Sequence, residues 1–379
     1  DAEVFRDNIQ DPDRVPAVKT WIMISTRDKP PGFLSLGEIM DDAPEDLEPA
    51  TVSDPDDTVL IFYTSGTTGV PRGAMLTDRN LMATVRKYCK LFGILPTNRR
   101  QLALLVMPVA HTSGHQNLLI LMSMAIPMFF LSRFDPADVL ARIEKYRATF
   151  FAGIPAMFKM LLKAGADRHD LTSIQVWGGG ADAFPPELVR QFREFSKRRK
   201  LGIPIKPMFV HGYGMAETGG HISISPPWGP KCAGWVVPGV QHRIVDPFGK
   251  LVEAGEAGEL QIKGPIVMKG YWNDPKKTEG AFQDGWFRTG DIMRMGKWRV
   301  LEFVDREKDV SKCAGYSVFP TELEHHLSEH PKVERAVVVG VPHSIKGEMP
   351  VAVVKLREGK QATEEEFESW ADERIASYK

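Results

Sequence analysis

The segment "YTSGTTGVPRG", residues 63–73, follows the apolar run "TVLIF". Thr64, Ser65, Thr67 and Thr68 carry hydroxyls, and Gly66, Gly69 and Gly73 carry no side chain. Glycines let backbone N–H groups converge on an anion, and hydroxyls add donors. Arg72 adds a permanent charge whose planar fork suits phosphate. These groups together suit a polyphosphate. They do not form a Walker A loop, which needs a Gly-Lys-Ser/Thr ending.

The elements around this loop alternate. "TVLIFYT" reads as a strand, and "TDRNLMATVRKYCKLFG" as the helix after the loop, with Thr77 or Asp78 as cap and Gly93 as stop. "LALLVMPV" reads as a buried strand, "PADVLARIEKYRA" as an amphipathic helix and "TFFAGIP" as a strand. "FKMLLKAG" is helical. "SIQVWGGG" is a strand ending in a glycine turn, and "PPELVRQFREFSKRR" a helix with prolines at its start. The basic run "REFSKRRK" reads as its solvated end. Strand–helix alternation implies a largely parallel sheet covered on both faces. Ligands then sit outside the carboxyl ends of the strands, where the loops at 66–73 and 178–180 are expected.

From about residue 225 short runs split by Gly, Pro and Asp read as antiparallel hairpins. After "DREKD", "PTELEHHLSEH" reads as a helix, "VERAVVVGVP" and "PVAVVKL" as strands, and "TEEEFESWADERIA" as a further helix. The expected fold class is α/β. Residues 1–304 form a large domain of layered sheets and helices, with a β-rich, distorted-barrel module at about 226–304. Residues 305–379 form a small mobile α+β domain with its hinge at 305–309.

Composition narrows the partners. A formal net charge of −1 gives no electrostatic case for nucleic acid. The three cysteines, Cys89, Cys232 and Cys313, are far apart and odd in number, which implies neither a disulfide framework nor a zinc site but a reducing, cytoplasmic setting. Peripheral membrane association and a homodimer stay open. The most apolar window, "LLILMSMAIPMFFL" at 118–131, is shorter than the ~20 residues a membrane-spanning helix needs and contains Pro127. It reads as a buried helix running into a buried strand, so no transmembrane segment is expected.

"YTSGTTGVPRG" resembles the phosphate-binding signature of the adenylate-forming superfamily: acyl-CoA synthetases, luciferases and peptide-synthetase adenylation domains. "MPVAHTSG", "VWGGGADAFPPEL", "HGYGMAETGG", "GELQIKGPIVMKGYWNDPKKT", "GWFRTGD" and "DREKDVSKCAGYSVFPTELE" follow in the family's order, from about residue 58 to the C-terminus. The family usually has Lys in place of Arg72 and Thr in place of Ala216.

The resemblance implies an ATP site built from Thr64 to Gly69, Arg72, Gly73, Gly179, Gly180, Ala181, Asp182, Tyr213, Gly214, Met215, Ala216, Glu217, Asp291 and Arg306. Tyr213 offers a flat face to adenine. Both oxygens of Asp291 suit the ribose diol. Glu217 would help hold Mg2+, a hard cation with oxygen ligands. Thr218, beside Ala216, would point elsewhere. His111, Gly180, Gly315 and Tyr316 are assigned to the acyl and CoA site, Lys308 to the hinge and Lys312 to the second half-reaction. Arg72, Glu217 and Lys312 form the catalytic set. Cys313 reads as a small filler, since the family needs no enzyme thiol.

The implied partners are a small-molecule carboxylate, ATP and CoA, and the implied activity is that of an acyl-CoA ligase, with a fatty acid favoured. An aryl-CoA ligase, a carrier-protein-loading enzyme and a non-catalytic nucleotide-binding relative remain alternatives. Against the family the chain reads as truncated at both ends, without the Gly-Lys motif expected beyond "ERIASYK".

Overall fold

A seven-stranded sheet carries the largest core. Its strands run in the order Trp235–Val236, Gly220–Ile224, Met208–Met215, Val176–Gly180, Phe150–Gly153, Ala103–Leu105, Met128–Phe130. The last five are parallel, and Gly220–Ile224 and Trp235–Val236 are added antiparallel. This computed structural model describes residues 20, 22–23, 33–43, 54–64, 71–93, 101–180, 184–200, 203–226, 233–306, 311–313, 316–343, 347–372 and 374.

The chain divides into two units, Asp1–Ser53 and Asp54–Lys379. In the first, the strands Ile22–Met23 and Leu34–Ser35 pair in parallel. The helix Leu36–Asp41 follows, with the Ser35 N–H donating to the Glu38 carboxylate at 3.2 Å.

In the second unit the helices between parallel strands start where the sequence marks them. Thr77 and Asn80 exchange hydrogen bonds at the head of Asp78–Gly93. Asp135 accepts from two N–H groups of Pro136–Tyr146, and Pro155–Lys163 and Pro186–Phe195 begin on proline. Phe151, Phe158, Trp177, Phe192 and Phe209 are fully buried together, largely edge to face, as in the Phe158–Phe192 pair at 4.9 Å. The apolar window becomes the helix Thr112–Ser123 and the strand Met128–Phe130. The strand lies at the sheet edge and leaves Phe130 exposed. Among the described residues no helix is long and apolar enough to cross a membrane.

Three expectations are corrected. The strand Thr58–Thr64 does not join the parallel sheet. It pairs antiparallel with Arg72–Thr77, and Gly270–Tyr271 completes a separate three-stranded sheet. Gly178–Gly180 are not a turn after a strand but the strand itself, paired with 152–153 on one side and 210–212 on the other. The basic run is not the tail of a helix. Ser196 Oγ donates to the Phe192 carbonyl at 2.9 Å and accepts from Trp177 Nε1 at 3.0 Å, which ends the helix at Phe195. Arg198–Lys200 then pairs with Ile203–Ile205.

The β-rich region is a five-stranded antiparallel sheet that includes Gln241–Val245, Ala257–Lys263, Trp286–Met295 and Leu301–Arg306. Beyond it, the hairpin Val333–His343 and Gly347–Leu356 packs against the helix Pro320–Ser328 through Leu323, Leu327, Val333, Ala336 and Val338.

Candidate functional site

The strand Met208–Met215 and the turn Ala216–Thr218 after it connect three groups of side chains. The first lies around Arg72. Thr64 and Arg72 face each other at the ends of their strands, and Thr64 Oγ1 donates to the Arg72 carbonyl at 3.5 Å. The hairpin thus brings the two ends of the hydroxyl-rich loop together. Ser65, Gly66, Thr67, Thr68 and Gly69 lie outside the described residues, while Gly73 pairs with Tyr63 inside the hairpin. The Arg72 guanidinium is 5.9 Å from the centre of the Tyr271 ring. Tyr271 in turn donates its hydroxyl to Glu217 Oε1 at 3.0 Å. Burial, and then the Glu217 charge, push the Tyr271 hydroxyl up, so it stays a donor. The Glu217 carbonyl accepts from Met268 N at 2.8 Å, which fixes the turn. Thr218 is fully buried, its hydroxyl donating to the Gly220 carbonyl at 2.6 Å, so it does not substitute for the hydroxyl that Ala216 lacks.

The second group joins two sheets. Tyr213 donates its hydroxyl to Asp291 Oδ2 at 2.5 Å. Asp291 is 4% exposed on the strand Trp286–Met295, and its N–H donates to Thr289 Oγ1 at 3.1 Å. Arg306 is its register partner on the next strand, with Nε 3.5 Å from Oδ1. Burial, then the Asp291 charge, hold the Tyr213 hydroxyl well above its ordinary range. The pairing with Gly220–Ile224 slips between Tyr213 and Gly214, a bulge of the kind that re-aims a side chain beside a site.

The third group encloses a cavity of about 330 Å³ against the same strand. Gly179, Gly180 and Gly212 belong to its lining, and Met107, Leu121 and Met124 give it apolar side chains. A Cβ on Gly179 would come within 2.5 Å of the Phe184 ring, so glycine is what lets this strand lie against its core.

His111 falls differently from its expected acyl role. Its Nδ1 accepts from Ser113 N at 3.3 Å and caps the helix Thr112–Ser123, and its side chain is exposed. Ser113, not His111, lines the cavity. Lys312 and Tyr316 lie on paired strands of the C-terminal sheet and are placed by their backbone. Ala181, Asp182, Lys308 and Gly315 lie outside the described residues.

Among the described residues no three His, Cys, Asp or Glu side chains converge on a metal site. A single carboxylate, Glu217, suits a magnesium ion that takes its other ligands from phosphates and water. Sequence reasoning missed Tyr271, the ring between Arg72 and Glu217. Its place in "MKGYWNDPKKT" marks it as part of a quoted motif but gives no sign of its partners.

Comparison with known proteins agrees with this architecture. The profile described as AMP-binding enzyme matches residues 4–272, and that of the AMP-binding enzyme C-terminal domain matches 322–379. The long-chain-fatty-acid–CoA ligase of Bacillus subtilis (strain 168) is 33% identical over 329 residues, which are 85% of this chain and 57% of that protein. The 4-coumarate–CoA ligase 2 of Oryza sativa subsp. japonica is 33% identical over 364 residues, 92% of this chain and 62% of that protein. The chain therefore spans less than two thirds of the length of either relative. The solved structure of o-succinylbenzoate coenzyme A synthetase (MenE) from Bacillus subtilis, in complex with ATP and magnesium ion, superposes with a TM-score of 0.75 at 28% identity. That superposition covers 92% of this chain and 70% of the solved one.

Proposed function

The chain belongs to the AMP-binding enzyme family, and from that premise we propose that it is the body of an ATP-dependent acid–CoA ligase acting on a fatty acid. One observation carries the reading. The stretch 212–217 touches all three groups: Gly212 lines the cavity, Tyr213 bonds Asp291, and Glu217 bonds Tyr271. A carboxylate in the cavity, a nucleoside at Tyr213 and Asp291, and phosphates between Arg72 and Glu217 would meet along one short segment.

In the proposed reaction a carboxylate oxygen attacks the α-phosphorus of ATP in line, and the bond to pyrophosphate breaks. The CoA sulfur then attacks the carbonyl of the mixed anhydride, AMP leaves, and the thiol proton passes to solvent. Arg72 and the loop N–H groups offset phosphate charge, and the cavity holds the acid in line. Glu217 would hold Mg2+, which supplies charge neutralisation on the phosphates when bound. Lys312 is assigned to thioester formation, and the division into 1–304 and 305–379 with a hinge at Lys308 belongs to the same reading.

The apolar wall and the likeness to a long-chain-fatty-acid ligase support a fatty acid. The likeness to a 4-coumarate ligase supports an aryl acid as the second reading. Pyrophosphate exchange and loss of CoA thiol, followed across alkyl and aryl acids, test both. Exchange with alkyl acids and thioester formation support the first. Turnover restricted to aryl acids selects the second, and absence of exchange with every acid removes the ligase.

A further inference from the structure

His221 sits on the cavity wall, and the reaction above gives it no task. It lies on the strand Gly220–Ile224 beside Met208–Met215. Its ring fills the space a side chain at Gly212 would need: a Cβ there would be 2.2 Å from both Cδ2 and Nε2. His221 Nδ1 is 2.5 Å from the Tyr88 hydroxyl. Both residues line the cavity. Tyr88 is buried, and His221 is half-buried on the cavity lining.

The protonation states follow from burial. It pushes the Tyr88 hydroxyl up, so that hydroxyl keeps its proton and donates to Nδ1. It pulls His221 down to about 4, with the neighbouring His211 acting in the same direction. A neutral imidazole that accepts at Nδ1 carries its proton on Nε2. Among the described residues that N–H has no partner. Two neighbouring polar side chains of the wall are spent: Asn117 Nδ2 donates to the Ser113 carbonyl at 2.9 Å, and Thr149 Oγ1 to the Leu102 carbonyl at 3.1 Å. An N–H left without an acceptor is costly, whereas one matched by a substrate oxygen discriminates against acids that lack it.

We propose that His221, oriented by Tyr88, is a specificity-determining residue whose Nε2–H donates to a hydroxyl or carbonyl oxygen on the body of the acid, so that the preferred substrates are oxygen-substituted acids. The location of the acid rests on the ligase reading; the donor and its orientation do not. Tyr88 is a positioning residue, acting through the imidazole.

The test uses matched acids: decanoate against its hydroxy and oxo counterparts, and cinnamate against its phenolic counterpart. Binding to the protein is measured by calorimetry and turnover by CoA thiol loss. The wild type is expected to favour at least one oxygenated member by about fivefold to tenfold, the range of one hydrogen bond. His221→Val is expected to erase that ratio and His221→Gln, which keeps an N–H donor, to restore part of it. Tyr88→Phe is expected to reduce the ratio while the melting curve stays cooperative. Equal binding of every pair by the wild type, or a ratio preserved in His221→Val, overturns the proposal. If His221→Val does not fold, the ratios of His221→Gln and Tyr88→Phe decide: both equal to the wild type overturns it. Binding preference without thiol loss for any acid removes the ligase reading and keeps the donor. Turnover without preference does the reverse.

Discussion

The two ends of the proposed nucleotide site are built differently. At the Tyr213 end a buried carboxylate takes a short hydrogen bond from a ring on another sheet, and only Arg306 beside it is well exposed. At the Arg72 end the charged groups are half-buried, and the Tyr271 ring lies between them. A nucleoside keeps its shape through the reaction, so a fixed, dry cradle suits it. The phosphates separate and leave, so charged groups with some access to water suit them. The contrast assigns affinity to one end and rate to the other.

The largest expected effect sits at the second end. Glu217→Gln should slow pyrophosphate exchange by about a hundredfold or more while ATP affinity changes little. A magnesium titration of the exchange rate checks it; an equal loss of affinity and rate would erase the contrast. Asp291→Ala should weaken ATP binding by about tenfold or more and cost stability too, because it strands the Tyr213 hydroxyl. Calorimetric titration reads the first and a melting curve the second, and an unaltered ATP affinity would end the ribose assignment.

The tyrosines sharpen the comparison by pH. Both hydroxyls are raised above the ordinary value of 10, by burial and then by a carboxylate. A raised pKa means that the folded protein holds its proton longer than the unfolded chain does. Stability from these two groups is therefore complete below pH 10 and falls as pH climbs above it. In an ultraviolet titration Tyr213→Phe and Tyr271→Phe should each remove one tyrosine ionisation from above the ordinary range; loss of a step near pH 10 instead would contradict the effect of the paired carboxylate. The smallest effect is expected from Ala216→Thr, which returns a hydroxyl to the phosphate end. A gain in exchange rate of about twofold to fivefold, one weak hydrogen bond, is the outcome to look for; a loss would show that position 216 does not face phosphate.

Much of the helical layer was legible because its signals are local. Thr77 and the prolines of "PPELV" mark helix starts, and the helices begin there; the helix read from Phe158 begins three residues earlier, at Pro155. Sheet membership was not legible in the same way. "RGAMLT" becomes a strand through pairing with Thr58–Thr64 and, far along the chain, with Gly270–Tyr271. Glycines at 178–180 look like a turn by composition, but a Cβ on Gly178 would press within 2.9 Å of Ala152, a contact set by the neighbouring strand. The candidate site shows the same division. Motif order pointed to Tyr213, Glu217, Asp291 and Arg306. Tyr271, Tyr88 and His221 matter through contacts across distant segments, which no local pattern records.

A crystal structure of the protein with ATP and magnesium tests the central claim most directly. The account predicts ribose density on Asp291, the base against Tyr213 and phosphate density between Arg72 and Glu217. Well-ordered nucleotide bound away from the stretch 212–217 would contradict it.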